Sequence, residues 1–335
     1  MHPAIQGLLT IAFGVGGCVA YFYLANLALD HVICPARGRH AGRNINRANL
    51  VRPWLFLLPA LAAMGLYLVY PVIETLRLSL GERLPGNAFE FVGLANYAQM
   101  VSEAKFWEAL TNNLLWLLIV PAFATAFGLL AAQLSDRVRW GNLAKSLIFM
   151  PMAISFVGAA VIWKLVYDAR PLGQEQIGVL NALYLALGGD APATWLTIPF
   201  WNSFFLMAIL IWIQTGFAMV ILSAALRGIP EETVEAAIVD GANPFQLFFR
   251  IKVPQIKGTI VVVWTTITIV VLKVFDIVFA MTNGQWETQV LANYMYDKLF
   301  RANDWGVGSA GAIVILLLVT PILVWNVLSA RKEMR

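Results

Sequence analysis

Seven apolar stretches, each about as long as a lipid bilayer is thick, constrain this chain more than any other feature. They run approximately from Ala4 to Leu29, Pro53 to Leu76, Leu110 to Leu134, Ser146 to Val166, Ser203 to Ala225, Thr259 to Met281 and Gly308 to Leu328. A hydrocarbon core of about 30 Å takes ~20 helical residues to cross. Open strands would leave backbone groups unpaired in lipid, so helices are the economical reading. Of the 335 residues, 60% are hydrophobic and only 13% charged, with a mean hydropathy of +0.73. One globular core cannot bury that much apolar surface. Disorder, collagen, a disulfide-stapled secreted domain and a solenoid are excluded as well. The sequence therefore predicts an all-α, polytopic transmembrane protein. Pro71, Pro121, Pro151 and Pro321 should kink its helices, which membrane helices tolerate.

Sorting the 23 Lys and Arg residues by the connections between spans separates two sides. One side holds Arg37, Arg39, Arg43, Arg47, Arg52, Arg137, Arg139, Lys145, Arg227, Arg250, Lys252, Lys257, Arg331, Lys332 and Arg335. The other holds only Arg77, Arg83, Lys105, Arg170, Lys298 and Arg301, while Lys164 and Lys273 fall within spans. The positive-inside rule makes the first side cytoplasmic, with the N-terminus outside and the C-terminus inside. The first span has no charged segment before it and exceeds a normal signal-peptide core, so it reads as an anchor helix instead of a cleaved signal. The net charge of +4 gives no reason to expect a nucleic-acid partner.

The loop between the fifth and sixth spans, Leu226 to Gly258, has the chemistry of two short helices. Pro230 suits a helix start, and Glu231 and Glu232 match the positive end of its dipole. Val234, Ala237 and Ile238 recur at i, i+3, i+4 and predict one apolar face. Gly241 predicts a stop or sharp bend. Pro244 can open a second helix whose stripe is Phe245, Phe248 and Phe249, and Pro254 ends it. A helix lying on lipid normally carries a basic polar face. This one carries Glu235 and Asp240 beside Glu231 and Glu232, which anionic headgroups would repel. Ala236, Ala237, Gly241 and Ala242 leave room for a close-packed partner. The loop therefore reads as a docking element for a cytoplasmic protein.

The run Glu235-Ala236-Ala237, three residues, Gly241, nine residues, Ile251, one residue, Val253-Pro254 resembles the EAA loop of permeases in binding-protein-dependent ABC importers. Val253 stands where that pattern usually has Leu. The surrounding IPEETVEAAIVDGA resembles the carbohydrate branch of the family. Phe91 to Tyr97 (FVGLANY), Phe106 to Asn113 (FWEALTNN), Pro151 to Ser155 (PMAIS), Trp163 to Tyr167 (WKLVY) and Phe275 to Gly284 (FDIVFAMTNG) resemble the same family in order. The pattern is similar to that of the permeases of alpha-glucoside, trehalose and maltose importers. Gly284-Gln285-Trp286 departs from the GGP that often follows the FD segment there.

The resemblance implies a type I ABC importer permease fold. An N-terminal extra helix would span 1–30, a basic cytoplasmic loop 31–52, and a transmembrane helix with a periplasmic segment 53–109. The permease core would span 110–328 with the coupling loop at 226–258, followed by a tail at 329–335. Glu235, Ala236, Ala237, Asp240, Gly241, Ala242, Phe245 and Pro254 would then form the contact with an ATPase. The implied partners are a second permease in a heterodimer, two ATPase subunits, a periplasmic sugar-binding protein and the bilayer of the bacterial inner membrane. The implied cargo is a di- or oligosaccharide such as an alpha-glucoside.

The chain itself has no GxxxxGK[ST] segment to cradle phosphates, so ATP and Mg²⁺ would sit on the partner ATPase and none on this chain. His2, His31, His40, Cys18 and Cys34 have no zinc-like spacing and imply no disulfide framework. No catalytic arrangement or metal site is expected, and the protein reads as a non-enzymatic subunit. Trp212, Gln214, Gly216 and Phe217 in the fifth span offer an aromatic face and an amide, as a sugar site needs; helix packing is the alternative reading. Lys273 and Asp276, at i, i+3 in the sixth span, read either as part of a substrate path or as a local ion pair. Trp54, Trp140, Trp163 and Trp286 read as interfacial anchors. An ion-coupled secondary transporter without an ATPase is the competing function. Such folds usually show internal repeats.

Overall fold

The computed structural model describes residues 3–35, 41–83, 86, 88–136 and 138–333. Arg37, Arg39, Arg137 and Arg335 of the charge argument, and His2 and His40, lie outside them. The chain divides into two compact units, 1–74 and 75–335.

In the first unit, α1 (Pro3–Ala28) continues through a π-turn, Leu29–Ile33, and α2 (Ala41–Met64) through another, Gly65–Val69. Most of the described part of the segment read as a basic loop, 31–33 and 41–52, is therefore helical: Arg43, Arg47 and Arg52 lie on α2. Side-chain contacts pair the helices. The Tyr21 hydroxyl donates to the Leu55 carbonyl at 2.8 Å, and Phe22 meets Phe56 edge-on. Pro59 has no N–H to offer that carbonyl, so the tyrosine satisfies a group the proline orphans. Arg52 pairs with Asp30 at 2.6 Å. The most apolar windows of both helices have no buried residue within the protein, as suits surfaces solvated by lipid.

α3 (Tyr70–Ser79) leads into the second unit. A short antiparallel pair, β1 (Gly81–Arg83) with β2 (Phe89–Phe91), precedes α4 (Ala95–Ser102). The FVGLANY motif has a structural cause here. Asn96 donates to the Ser79 and Gly81 carbonyls, and the Tyr97 hydroxyl to Ser79 Oγ. The core is built on α5 (Ala104–Ser135) and α9 (Trp201–Arg227), which cross where Gly128 meets Ala218 and Met219. A methyl on Gly128 would collide with both, the small-residue logic of membrane helix packing. Around this crossing, Trp116, Val120 and Ala124 of α5 and Leu206, Leu210 and Ile213 of α9 are buried together.

Between them, α6 (Gly141–Phe149) and α7 (Phe156–Val166) are bent by 106°. The apolar run read as one span holds Pro151 in a 3₁₀ turn, and Ser155 Oγ caps α7 by accepting from Gly158 N. α8 (Val179–Ala186) lies in the connection that follows. α10 (Glu231–Val239), α11 (Pro244–Gln246), a π-turn at Leu247–Lys252 and α12 (Val253–Gln255) lead to α13 (Lys257–Leu272) across a 72° bend. α14 (Asp276–Met281), α15 (Leu291–Tyr296) and α16 (Trp305–Glu333) complete the chain. Among the described residues five helices are long and apolar enough to cross a membrane, or seven if each bent pair counts as one span.

Two expectations change. The helix read as continuous from Thr259 to Met281 stops at Leu272. Lys273 and Asp276 therefore do not share a helix face: Lys273 caps α13, and Asp276 opens α14, where a carboxylate suits the dipole. Pro254 does not end the second leg of the loop. The preceding π-turn, with Val253 N bonded to Phe248 O, carries the helix past it to Gln255.

Candidate functional site

The loop after α9 is an elbow with both joints hydrogen-bonded. Pro230 caps the start of α10, with Glu231 and Glu232 in its first turn. At its end, Gly241 N bonds to Ile238 O at 3.0 Å and Ala242 N to Ala237 O at 3.0 Å. This is a Schellman motif, and it needs a left-handed residue, which Gly241 supplies at φ 86°. Asn243 then opens α11 with a capping box: its Oδ1 accepts from Gln246 N, and Gln246 Oε1 accepts from Asn243 N, both at 2.9 Å. Only Gly241 and Ala242 separate the two capped ends.

Burial runs differently from the predicted stripes. Ala237, Leu247 and Phe248 are buried. Val239 is 86% exposed, Phe245 76%, and Ile238 and Phe249 are exposed too. Helical periodicity finds an apolar face but does not say whether this chain covers it. Glu235, Ala236, Asp240, Gly241 and Pro254 are exposed, and Ala242 is half-buried. The acidic groups Glu231, Glu232, Glu235 and Asp240 form no ion pair among the described residues. Phe245, Phe248 and Phe249, with Pro244, face Leu130, Gln133 and Leu134 of α5 across an open apolar cavity of about 280 Å³.

The four residues singled out on α9 do not form one site. Trp212 is half-buried, meets Trp163 edge-on at 5.8 Å, and lines a cavity of about 650 Å³ with Phe127, Ala131, Leu147, Ile148 and Ala208. Gly216, one turn on, is a packing position. A methyl there would lie 2.5 Å from the Ile148 carbonyl and 2.9 Å from Phe149 Cα, so only glycine lets α6 approach. Gln214 and Phe217 share a different face, at i, i+3. Gln214 is only 7% exposed, and its side chain has no hydrogen bond among the described residues. Phe217 packs against the central core. Lys273 and Asp276 are exposed and make no ion pair there with each other or with any described residue, which removes the local-pair reading. Trp54 and Trp140 are exposed, and Trp163 is half-buried in an aromatic cluster with Trp212 and Tyr167.

One set of residues was missed by function-directed reading. At the N-terminal end of α5, Asn112 Nδ2 donates to the Glu287 and Gln289 carbonyls, each at 2.8 Å. Glu108 accepts from Gln289 N, and Asn113 Oδ1 from Leu291 N at 2.7 Å. These anchors hold the connection after α14, where Asn283, Gly284, Trp286 and Glu287 all have positive φ. Two adjacent asparagines at the start of an apolar helix were the available signal.

The family model for binding-protein-dependent transport system inner membrane components matches residues 124–335. The chain is 61% identical to the alpha-glucoside transport system permease protein AglF of Rhizobium meliloti (strain 1021) over 337 residues, covering 99% of each. It is 48% identical over 283 residues to the osmoprotective compounds uptake permease protein GgtC of Synechocystis sp., covering 84% of this chain and all of that one. Its backbone superposes with a TM-score of 0.73, at 22% identity, on a chain of the bacterial alginate ABC transporter solved in complex with an alginate pentasaccharide-bound periplasmic protein. That match covers 89% of this chain and 99% of the solved one.

Proposed function

We infer that this chain, which belongs to the binding-protein-dependent transport system inner membrane components, forms part of the translocation path for a saccharide of the alpha-glucoside class. It is a multi-pass permease of the inner membrane with the type I ABC importer permease fold. The ion-coupled secondary transporter kept open by the sequence gives way to this membership. The cargo class rests on the resemblance to AglF over nearly the whole of both chains.

In the assembly we propose, a second, different permease lines the other side of the path, a periplasmic sugar-binding protein delivers the cargo, and two ATPase subunits hold ATP and Mg²⁺. This chain contributes no catalytic group. The basic connections face the cytoplasm, with the N-terminus outside and the C-terminus inside. The elbow is then the coupling helix.

The observation that supports this reading is the pairing of exposed Val239, Phe245 and Phe249 with four unpaired carboxyl groups on a doubly capped elbow. Such a surface suits a partner groove with an apolar floor and a basic rim, Glu235 meeting a cation there. A short link hydrogen-bonded at both joints passes a push on α10 into the second leg, where a floppy one would absorb it. Trp212, Gln214, Phe217, Lys273 and Asp276 are proposed to meet the sugar or line its route; Gly216 serves α9 by packing.

Glu235→Lys and Gly241→Pro test the coupling half. Both chains should reach the membrane, yet uptake of labelled alpha-glucoside should be lost, with the ATPase either released or hydrolysing without transport. Normal uptake by both variants rejects the assignment.

A further inference from the structure

Three membrane helices are tied together by charge just before α10 begins. Asp136 caps the C-terminal end of α5. Its Oδ1 pairs with Lys145 of α6 and lies 4.0 Å from Nε of Arg227, the last residue of α9. Its Oδ2 accepts from Ser223 Oγ at 3.4 Å, and Arg227 Nη2 donates to the same hydroxyl at 3.2 Å. Arg227 Nε also donates to the Ser223 carbonyl, one turn back along α9. One carboxylate thus gathers groups from α5, α6 and α9.

The setting makes this more than a surface ion pair. Ser223 is buried, and the Lys145 side chain is only 15% exposed. An ammonium so shielded depends on its carboxylate, whereas an open surface pair contributes little. The start of α6 also lies close against the end of α5, because a methyl on Gly141 would collide with the Ser135 carbonyl. Beyond Arg227 only Gly228, Ile229 and Pro230 precede α10, and Gly228 N bonds back to the Ala224 and Ala225 carbonyls at 3.1 Å.

We propose that Asp136 is a positioning residue of the coupling machinery. It clamps the ends of α5 and α6 to Ser223 and Arg227, so that movement of α10 is delivered to three helices at once instead of being lost as slippage at the foot of α9. The inference rests on the coupling role given to α10 above.

The test uses the full importer, both permeases and the ATPase, in proteoliposomes supplied with binding protein. It reads sugar imported per ATP hydrolysed and the amount of ATPase that co-purifies. Asp136→Asn keeps the shape and removes the charge. Arg227→Gln removes the most open arm, at a side chain 62% exposed, and leaves folding intact. Expected are complexes that assemble and hydrolyse ATP but import roughly threefold less sugar per ATP, or worse, with part of the loss restored in Asp136→Glu. A purely structural aspartate would change the yield of complex and not this ratio. An unchanged ratio in both variants overturns the clamp. Should Asp136→Asn fail to assemble, the ratio for Arg227→Gln decides. If Glu235→Lys and Gly241→Pro also leave the ratio untouched, the coupling reading itself falls; if they lower it while the Asp136 and Arg227 variants do not, only the clamp does.

Discussion

The two ends of α5 are held by different chemistry. At its N-terminal end, Asn112, Asn113 and Glu108 bond to main-chain groups of residues 287–291. At its C-terminal end, Asp136 meets Ser223 and the charged Lys145 and Arg227, side chains 15–62% exposed, next to an elbow where Val239, Phe245 and Phe249 are exposed. Main-chain bonds to amides are short-ranged and directional, so they fix one shape. Charges act over longer distances and tolerate small displacements. The first end can therefore hold a strained backbone, with Trp286 at φ 54° and Glu287 at φ 63°, conformations that cost of order 1–3 kcal/mol each and persist only when over-determined. Near the second end the left-handed position is a glycine, Gly241 at φ 86°, and Val239, Phe245 and Phe249 stand exposed.

Two left-handed glycines probe this contrast with the largest expected effect. Gly284 has φ 71°, and a methyl there would collide with the Gln289 amide oxygen and sit 3.4 Å from Asn293 Nδ2. Gly241 has φ 86° and nothing within 4 Å. Gly284→Ala should lose roughly 3 kcal/mol, from backbone strain plus overpacking. Gly241→Ala should lose only the backbone part, about 1–2 kcal/mol. Thermal unfolding of the purified chain in detergent reads both. Equal losses would mean that the two ends are not packed differently.

What the sequence disclosed follows the range of each signal. The elbow was legible because Pro230, Gly241 and Pro244 act on their immediate neighbours, while the Asn243 capping box emerged only with the structure. The transmembrane class was legible because apolar length is a sum over each segment. Pro151 announced a kink between α6 and α7, but not its size of 106°, since one hydropathy window spans both sides of it. The break after Leu272 has neither glycine nor proline to announce it, and Lys273 and Asp276 were placed on one helix for that reason. Gly216 was legible as either sugar path or packing, and only the approach of α6 decided it. Asn113 and Leu291 are 178 residues apart, so no local pattern could join them.

The asparagine contacts sharpen the comparison further. Asn113 is 1% exposed, and Leu291 N has its side-chain oxygen as acceptor. Asn113→Leu strands that N–H and should cost about 1–3 kcal/mol. Asn113→Asp keeps an acceptor at the same place and should preserve the main-chain bond. Hydrogen exchange of the Leu291 amide separates the two: faster in Asn113→Leu, slow in Asn113→Asp. Slow exchange in both would mean that the loop is held by packing and not by the amide.

The smallest effect concerns a charged contact at the end held mainly by amides, where Lys105 also pairs with Glu108 at 2.8 Å. Glu103, just ahead of α5, accepts from Lys298 and from the Tyr294 hydroxyl at 2.9 Å. Partial burial pushes its carboxyl up, but the bonds from Lys298 and Tyr294 win, and it stays below the ordinary carboxylate value of 4.5. A carboxylate held low in the folded state stabilises fully above its unfolded pKa, and the benefit is lost as pH falls through the folded value. The wild-type chain should therefore exceed Glu103→Gln by up to ~1 kcal/mol near neutral pH, with the gap closing below the ordinary carboxylate range. Thermal unfolding of both chains across that range measures it. A gap that stays constant into acid would assign the Glu103 contribution to shape, like that of the neighbouring asparagines.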